Sequence, residues 1–397
     1  MLVSSSTIHD EAVELTEQVV ADRRHFHRHP ELGFQEHQTA AYVAERLRKL
    51  GVDEVQTGVA QTGVVGIIRG PASGRVVLLR ADMDALPLTE ATGAPYASEN
   101  PGVHHACGHD GHTAILLSVA ELLMRHRDEL GGTVKLVFQP AEEGPGGAKP
   151  MIEAGVMDSP RVDACFGLHL SNNHPVGTMI AQGGAMQASA DEFTLIVEGV
   201  GGHGAAPHQT VDPIAVGSAI VAELQRIVSR EIDPLDSAVI TVGEFHAGTR
   251  LNIIPQRAEL RGTIRSLRDE TQQFLHQRIR EVATGVASAA RATCDVRIDK
   301  LYPVTVNDDE MAAFAHSVAE TIVPPEQVIY VKPIMGAEDM SFFLRAAPGC
   351  FVFLGSANKE RNLHHPHHGP YFDFDEAALP LGIELLTKLA MSYLERP

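Results

Sequence analysis

The stretch His104-His-Ala-Cys-Gly-His-Asp-Gly-His112 crowds four histidines, one cysteine and one aspartate into nine residues. A thiolate and neutral imidazoles are good zinc ligands. Cys107 and His109, separated by one glycine, are therefore candidate ligands. Asp110 and His112 are candidates to orient a ring or buffer a proton. Four further clusters could do related chemistry. Gln139-Pro-Ala-Glu-Glu143 sets two carboxylates side by side, which is costly unless a cation lies between them. Read as extended backbone, it points Glu142 and Glu143 in opposite directions, so one could ligate while the other faces a reaction. Phe166-Gly-Leu-His169 ends in one histidine, which taken alone reads as a satisfied core residue. Arg80-Ala-Asp-Met-Asp84 carries two more acids, which could equally cap a turn. His364-His-Pro-His-His368 holds four histidines that cannot all be ligands.

These groups need elements to hold them. Val76–Leu79, Thr133–Phe138, Cys165–Leu168 and Phe351–Leu354 are short apolar runs that read as buried strands. Helical spacing predicts helices over about Ala12–Phe26, through Ala40, Val43, Leu47 and Leu50 up to Gly51, and over Ala114–Met124. The class is α/β, with a central mixed, mostly parallel sheet flanked by helices. Asp82 and Asp84, Glu142 and Glu143, and His169 each follow a strand. Sites in open α/β sheets form at the carboxyl ends of strands, so these clusters are expected to converge. Two metal ions about 3.5–4 Å apart form a common hydrolytic centre.

A second pattern fills the middle of the chain. Strands are read at Phe193–Val197, Ala238–Val242, Arg257–Ile264 and Cys294–Ile298. Helices start at Asp212-Pro213 and run over Thr271–Ala289. The order βαββαβ is the ferredoxin-like split βαβ pattern of an inserted α+β domain. The expected division is 1–187 and 301–397 for the main domain and 188–300 for the insert.

Composition narrows the function classes. The 397 residues carry a formal charge of −19, against nucleic acid or anionic membranes as main partners. Four dispersed cysteines are no disulfide framework. Met1 to Asp10 lacks the basic and apolar regions of a secretory leader, and no apolar window is long enough for a membrane span. The expectation is a cytoplasmic protein.

Taken together, His27-Arg-His-Pro-Glu-Leu-Gly-Phe34, Arg80-Ala-Asp-Met-Asp-Ala-Leu-Pro87, Cys107-Gly-His-Asp-Gly-His112, Gln139-Pro-Ala-Glu-Glu143, Gly167-Leu-His169 and Gly336-Ala-Glu-Asp-Met340 carry a resemblance across nearly the whole chain. The sequence resembles the hippurate hydrolase, N-acyl-amino-acid amidohydrolase and indoleacetyl-amino-acid hydrolase family of two-zinc carboxypeptidase-like enzymes. That resemblance implies two divalent ions, zinc first, with manganese, cobalt or nickel as alternatives. It implies Cys107 as bridging ligand, His109 and His169 on one ion, and Glu143 with a late histidine on the other. Counting back from Phe372 through Pro370 makes that histidine His368, with His364 as runner-up. Glu142 matches the catalytic carboxylate, and Asp84 the acid that orients the ligands. In the insert, which resembles a lid and dimerisation module, His203 matches a histidine that reaches the substrate carbonyl. Asn252 matches a substrate contact. The implied substrate is an N-acyl amino acid, or else a short peptide, and the implied assembly a homodimer. Two other classes compete: a cysteine hydrolase with Cys107 as nucleophile, and a metal-dependent binding protein without turnover.

Overall fold

A computed structural model describes residues 5–396. Met1–Ser4, the start of the stretch read above as lacking a leader, and Pro397 lie outside the described residues. The chain forms two compact units. One comprises the chain up to Gly184, Val306–Val331 and the chain from Phe342 on; the other is Ala185–Thr305 with Lys332–Ser341.

The first unit is built on a seven-stranded sheet. Its order is Glu54–Val59, Gly63–Arg69, Thr133–Gln139, Val76–Asp82, Ala164–Pro175, Gly349–Ala357 and Met179–Ile180. The four strands from Thr133–Gln139 to Gly349–Ala357 run parallel, and the edges pair antiparallel. Every residue of Val76–Asp82 is buried, as expected of a central strand covered on both faces. The apolar run Gly63-Val-Val-Gly-Ile-Ile-Arg69 carries the same signal and is a further strand, beyond the four expected.

Several elements outrun their sequence signal. Ala164–Pro175 has twelve residues, because its polar second half still pairs with Gly349–Ala357. The helix expected over Ala114–Met124 begins five residues earlier, at His109. The run expected over Ala12–Phe26 is two helices, Ser5–Glu14 and Thr16–Arg28, meeting at Leu15. The helices His109–Arg125 and Ala378–Leu394 pack together over the central strands, and Leu116, Val119, Leu385 and Leu389 lie in that core.

In the second unit, four antiparallel strands take the order Ala238–Ala247, Arg257–Ser266, Ala190–Glu198, Thr293–Tyr302. This is the split βαβ arrangement. Phe193, Leu195, Val197, Leu260 and Ile264 form the buried face, with Ile220, Leu224, Leu275 and Ile279 of Pro213–Glu231 and Asp269–Ala289 packed against it. Asp212 caps the first of these helices by accepting from Ile214 N at 2.9 Å. The Lys332–Ser341 stretch belongs to this unit through backbone bonds. Ala188 N donates to Ile334 O and Gly336 O at 3.1 and 2.8 Å.

Candidate metal centre

Val76–Asp82 and Ala164–Pro175 pair only as far as Arg80 and Gly167. Beyond that point they part, and Asp82 and His169 stand at the opening. The chain leaves Val76–Asp82 towards Thr133–Gln139 on one side. It leaves Ala164–Pro175 towards Met179–Ile180 and Gly349–Ala357 on the other. Such a reversal of connections at neighbouring strand ends is where α/β sheets form their sites.

Gly108, at φ 91°, turns the chain into the helix His109–Arg125 and sets Cys107 beside His109. The ring of His109 is held by Asp84: Nδ1 lies 2.9 Å from the backbone oxygen and 3.3 Å from Oδ1. This places the proton on Nδ1 and leaves Nε2 with its lone pair, buried and without a hydrogen-bond partner. His169 repeats the pattern. Its Nδ1 donates to Leu170 O at 2.6 Å, and its Nε2 lies 3.5 Å from Cys107 Sγ.

Glu142 and Glu143 arrive by a turn, not by extended backbone. Ala141 is left-handed at φ 54°, which ends the strand direction after Pro140. Alternation along a strand therefore does not separate the two acids; the turn does. Asp84 holds this turn as well, with Oδ1 accepting from Glu142 N at 3.0 Å and Oδ2 from Glu143 N at 2.9 Å. Glu36, fully buried, accepts from Ala141 N at 2.9 Å and from Thr62 Oγ1 at 2.6 Å. Sequence reasoning missed Glu36, since nothing local marks an acid whose partner is 105 residues away.

Glu143 Oε1 faces His368 Nε2 at 3.1 Å and is buried without a well-formed hydrogen bond. Ligand atoms of Cys107, His109 and His169 lie within 4.8 Å of one another, and so do those of Cys107, Glu143 and His368. The two sets share Cys107. His109, Glu142 and Glu143 form a third such set. His364 instead stacks on His365 with ring centroids 5.4 Å apart. His367, which the dense histidine run hides, packs 5.5 Å from the His169 ring and accepts from Asn172 N at 3.2 Å.

His112 also lies within ligand range of Asp82 and His109. Both its nitrogens are committed, however: Nδ1 to Asp82 Oδ1 at 2.6 Å and Nε2 to Leu170 N at 2.9 Å. It ties two strand ends together. Asp110 turns away from the centre, to Arg23 and His27. His203 and Asn252 belong to the second unit. Gly202–His203 pairs with Ile253–Ile254, and Gly204 N donates to Asn252 O at 2.9 Å, so the two residues are neighbours on an exposed ribbon.

The electrostatics call for a cation. Burial opposes a charge on His109, but Asp82, Asp84 and Glu143 outweigh it and raise its pKa to about 10. Burial, Glu143 and Glu142 push the Cys107 thiol well up, so a thiolate here requires a positive partner. Two orphaned buried atoms, His109 Nε2 and Glu143 Oε1, together with a thiol and imidazoles in range, fit divalent metal of the zinc type.

Fold and site together define a metal-dependent hydrolase. Residues 78–392 match Peptidase family M20/M25/M40, and the chain belongs to that family, whose members hydrolyse amide bonds. It is similar to thermostable carboxypeptidase 1 of Saccharolobus solfataricus, at 43% identity over 384 residues covering 96% of each chain. It is similar to the hippurate hydrolase of Campylobacter jejuni at 40% over 377 residues, covering 94% of this chain and 96% of that one. A solved Bacillus subtilis structure, described as a dinuclear metal-binding peptidase of the M20 family, matches with a TM-score of 0.85 and 34% identity over 97% of this chain and 99% of that one. No helix among the described residues is long and apolar enough to cross a membrane.

Proposed function

We propose that the chain is a two-metal amidohydrolase that releases an amino acid from its N-acyl derivative. The observation that carries this reading is the pair of ligand sets joined at Cys107, with Glu142 beside them. Cys107, His109 and His169 would hold one ion, and Cys107, Glu143 and His368 the other. The mixed sulfur, nitrogen and oxygen donors suit zinc first, with manganese, cobalt and nickel as alternatives. Bound there, two such ions would supply an activated water and a Lewis acid for the amide carbonyl.

Glu142 takes a proton from the attacking water and delivers it to the leaving nitrogen. Asp84 keeps His109 in the ligating tautomer and fixes the turn that aims Glu142. The family resemblance assigns His203 the role of donor to the carbonyl oxygen as negative charge develops, and Asn252 a substrate contact. The exposed apolar residues Val200, Leu251 and Ile253 around that ribbon support a homodimer formed through the second unit.

A second reading, carboxypeptidase action on short peptides, is favoured by the carboxypeptidase relative. Both substrates present an amide next to a carboxylate. The deciding experiment measures metal content and hydrolysis of hippurate, N-acetyl-methionine, indoleacetyl-alanine and a blocked dipeptide, with and without chelator. Chelator-sensitive release from the acylated amino acids is expected. Faster cleavage of the dipeptide would transfer the proposal to the peptidase reading. Cleavage indifferent to chelator but stopped by a thiol reagent would overturn both.

A further inference from the structure

A second group of metal-capable side chains lies apart from the Cys107 centre. His27, Glu90 and His104 bring one ligand atom each to within 4.8 Å of the others. His27 is on the helix Thr16–Arg28, while Glu90 and His104 flank the loop that leads into the Cys107 motif. Both histidines are fully buried, and the Glu90 side chain is 5% exposed.

His27 Nδ1 lies 2.7 Å from Asp110 Oδ2, and its Nε2 is hydrogen-bonded to Glu90 Oε1 at 3.3 Å, a proton that a bound cation would replace. Metal-binding histidines are held in this way, with the second nitrogen donating to a carboxylate. His104 Nδ1 lies 3.5 Å from Glu90 Oε2, and its buried ring nitrogens make no well-formed hydrogen bond, with the Phe372 backbone beside the ring. In a tetrahedral zinc shell with bonds of about 2.0–2.2 Å, neighbouring ligand atoms are about 3.3–3.6 Å apart. The two separations, one to each oxygen of Glu90, are of that size. Glu90 is itself positioned by Ser98 N at 2.6 Å and by the Thr92 hydroxyl.

The local charge points the same way. Among the buried ions here, Arg23 is the cation, and Asp110, Asp373 and Glu90 are the anions. With neutral imidazoles, two negative charges are left in a region shielded from water. A protonated His27 would offset one of them and leave the other.

We propose that His27, Glu90 and His104 form a structural site for one divalent cation of the zinc class, independent of the catalytic ions. It ties the loop before the Cys107 motif to the helix Thr16–Arg28. Two nitrogens and one carboxylate suit zinc, cobalt or nickel over magnesium or calcium.

The test reconstitutes the full chain with zinc, removes loosely held ion by gel filtration and counts zinc per chain. Three are expected for the wild type and two for His104→Met, with turnover of the Met variant staying within about threefold. Glu143→Ala should lose zinc from the catalytic pair yet keep the ion that His104 governs, which separates this proposal from the reading of the catalytic site. Equal zinc in wild type and His104→Met would overturn it. If His104→Met fails to fold, Glu90→Gln is counted in the same way. Anomalous scattering from zinc-loaded wild-type crystals must show a peak between the three side chains, and its absence overturns the proposal.

Discussion

At the scale of single residues, Glu142 and Glu143 are neighbours with different surroundings. Glu143 Oε1 is buried facing His368 and His109, while Glu142 is held through its backbone by Asp84. Glu142→Gln should fold, keep its metal and lose about 10²–10⁴ in kcat, the share a general base contributes. Steady-state kinetics beside metal analysis checks this, and retained turnover would remove Glu142 from the role of base. Cys107→Ala should lose metal and activity together, because Cys107 is common to both ligand sets. Full metal occupancy in the folded variant would refute the ligand role. The donor types at these positions were legible in the sequence because each cluster is local. Whether Glu142 or Glu143 faces the ions was not legible from the residues themselves, since the left-handed Ala141 sets the turn.

At the scale of elements, two devices place the donors. The first is the turn at Gly108, whose φ of 91° lets Cys107 and His109 point to one place. A Cβ there would meet only ordinary contacts with Leu170 and His112, so the cost of substitution is conformational. Gly108→Ala should therefore destabilise the fold by about 1–2 kcal/mol, measurable by urea titration, and weaken metal affinity alongside. Unchanged affinity would mean the turn does not govern the centre. The second device is the buried network of Arg23 with Asp110 and Asp373, at 2.8 and 2.6 Å. It joins the helix Thr16–Arg28 to the start of the helix bearing His109. Arg23→Met leaves two buried carboxylates without their cation and should cost about 3–5 kcal/mol. A loss under 1 kcal/mol would show the network to be dispensable. The start of that second helix carries no clear sequence signal, because Gly108 and Gly111 weaken helical spacing just where the chemistry lies.

At the scale of the whole molecule, all five proposed ligands belong to the first unit, and His203 and Asn252 to the second. Metal binding stabilises only the unit that holds the ligands. In calorimetry, chelator should lower the transition of the first unit and leave that of Ala185–Thr305 in place. A parallel fall of both transitions would show the units to unfold as one. The second unit was readable from its βαββαβ order, since hairpins and amphipathic helices are local patterns. The assignment of Lys332–Ser341 to it was not, because that stretch joins by backbone pairing to residues about 150 positions earlier, near Met186 and Ala188.

The sequence by itself determined which kinds of donor are present, that Asp84, Glu142 and Glu143 come just after strands, and which apolar runs form those strands. Those properties depend on neighbours within a few residues. Tertiary structure alone decided which donors share a place. It set His368, not His364, against Glu143, committed both nitrogens of His112, and brought Glu36 to Ala141. The physical reason is that a ligand set depends on where strands part and where long loops return, and neither leaves a period or a spacing in the chain.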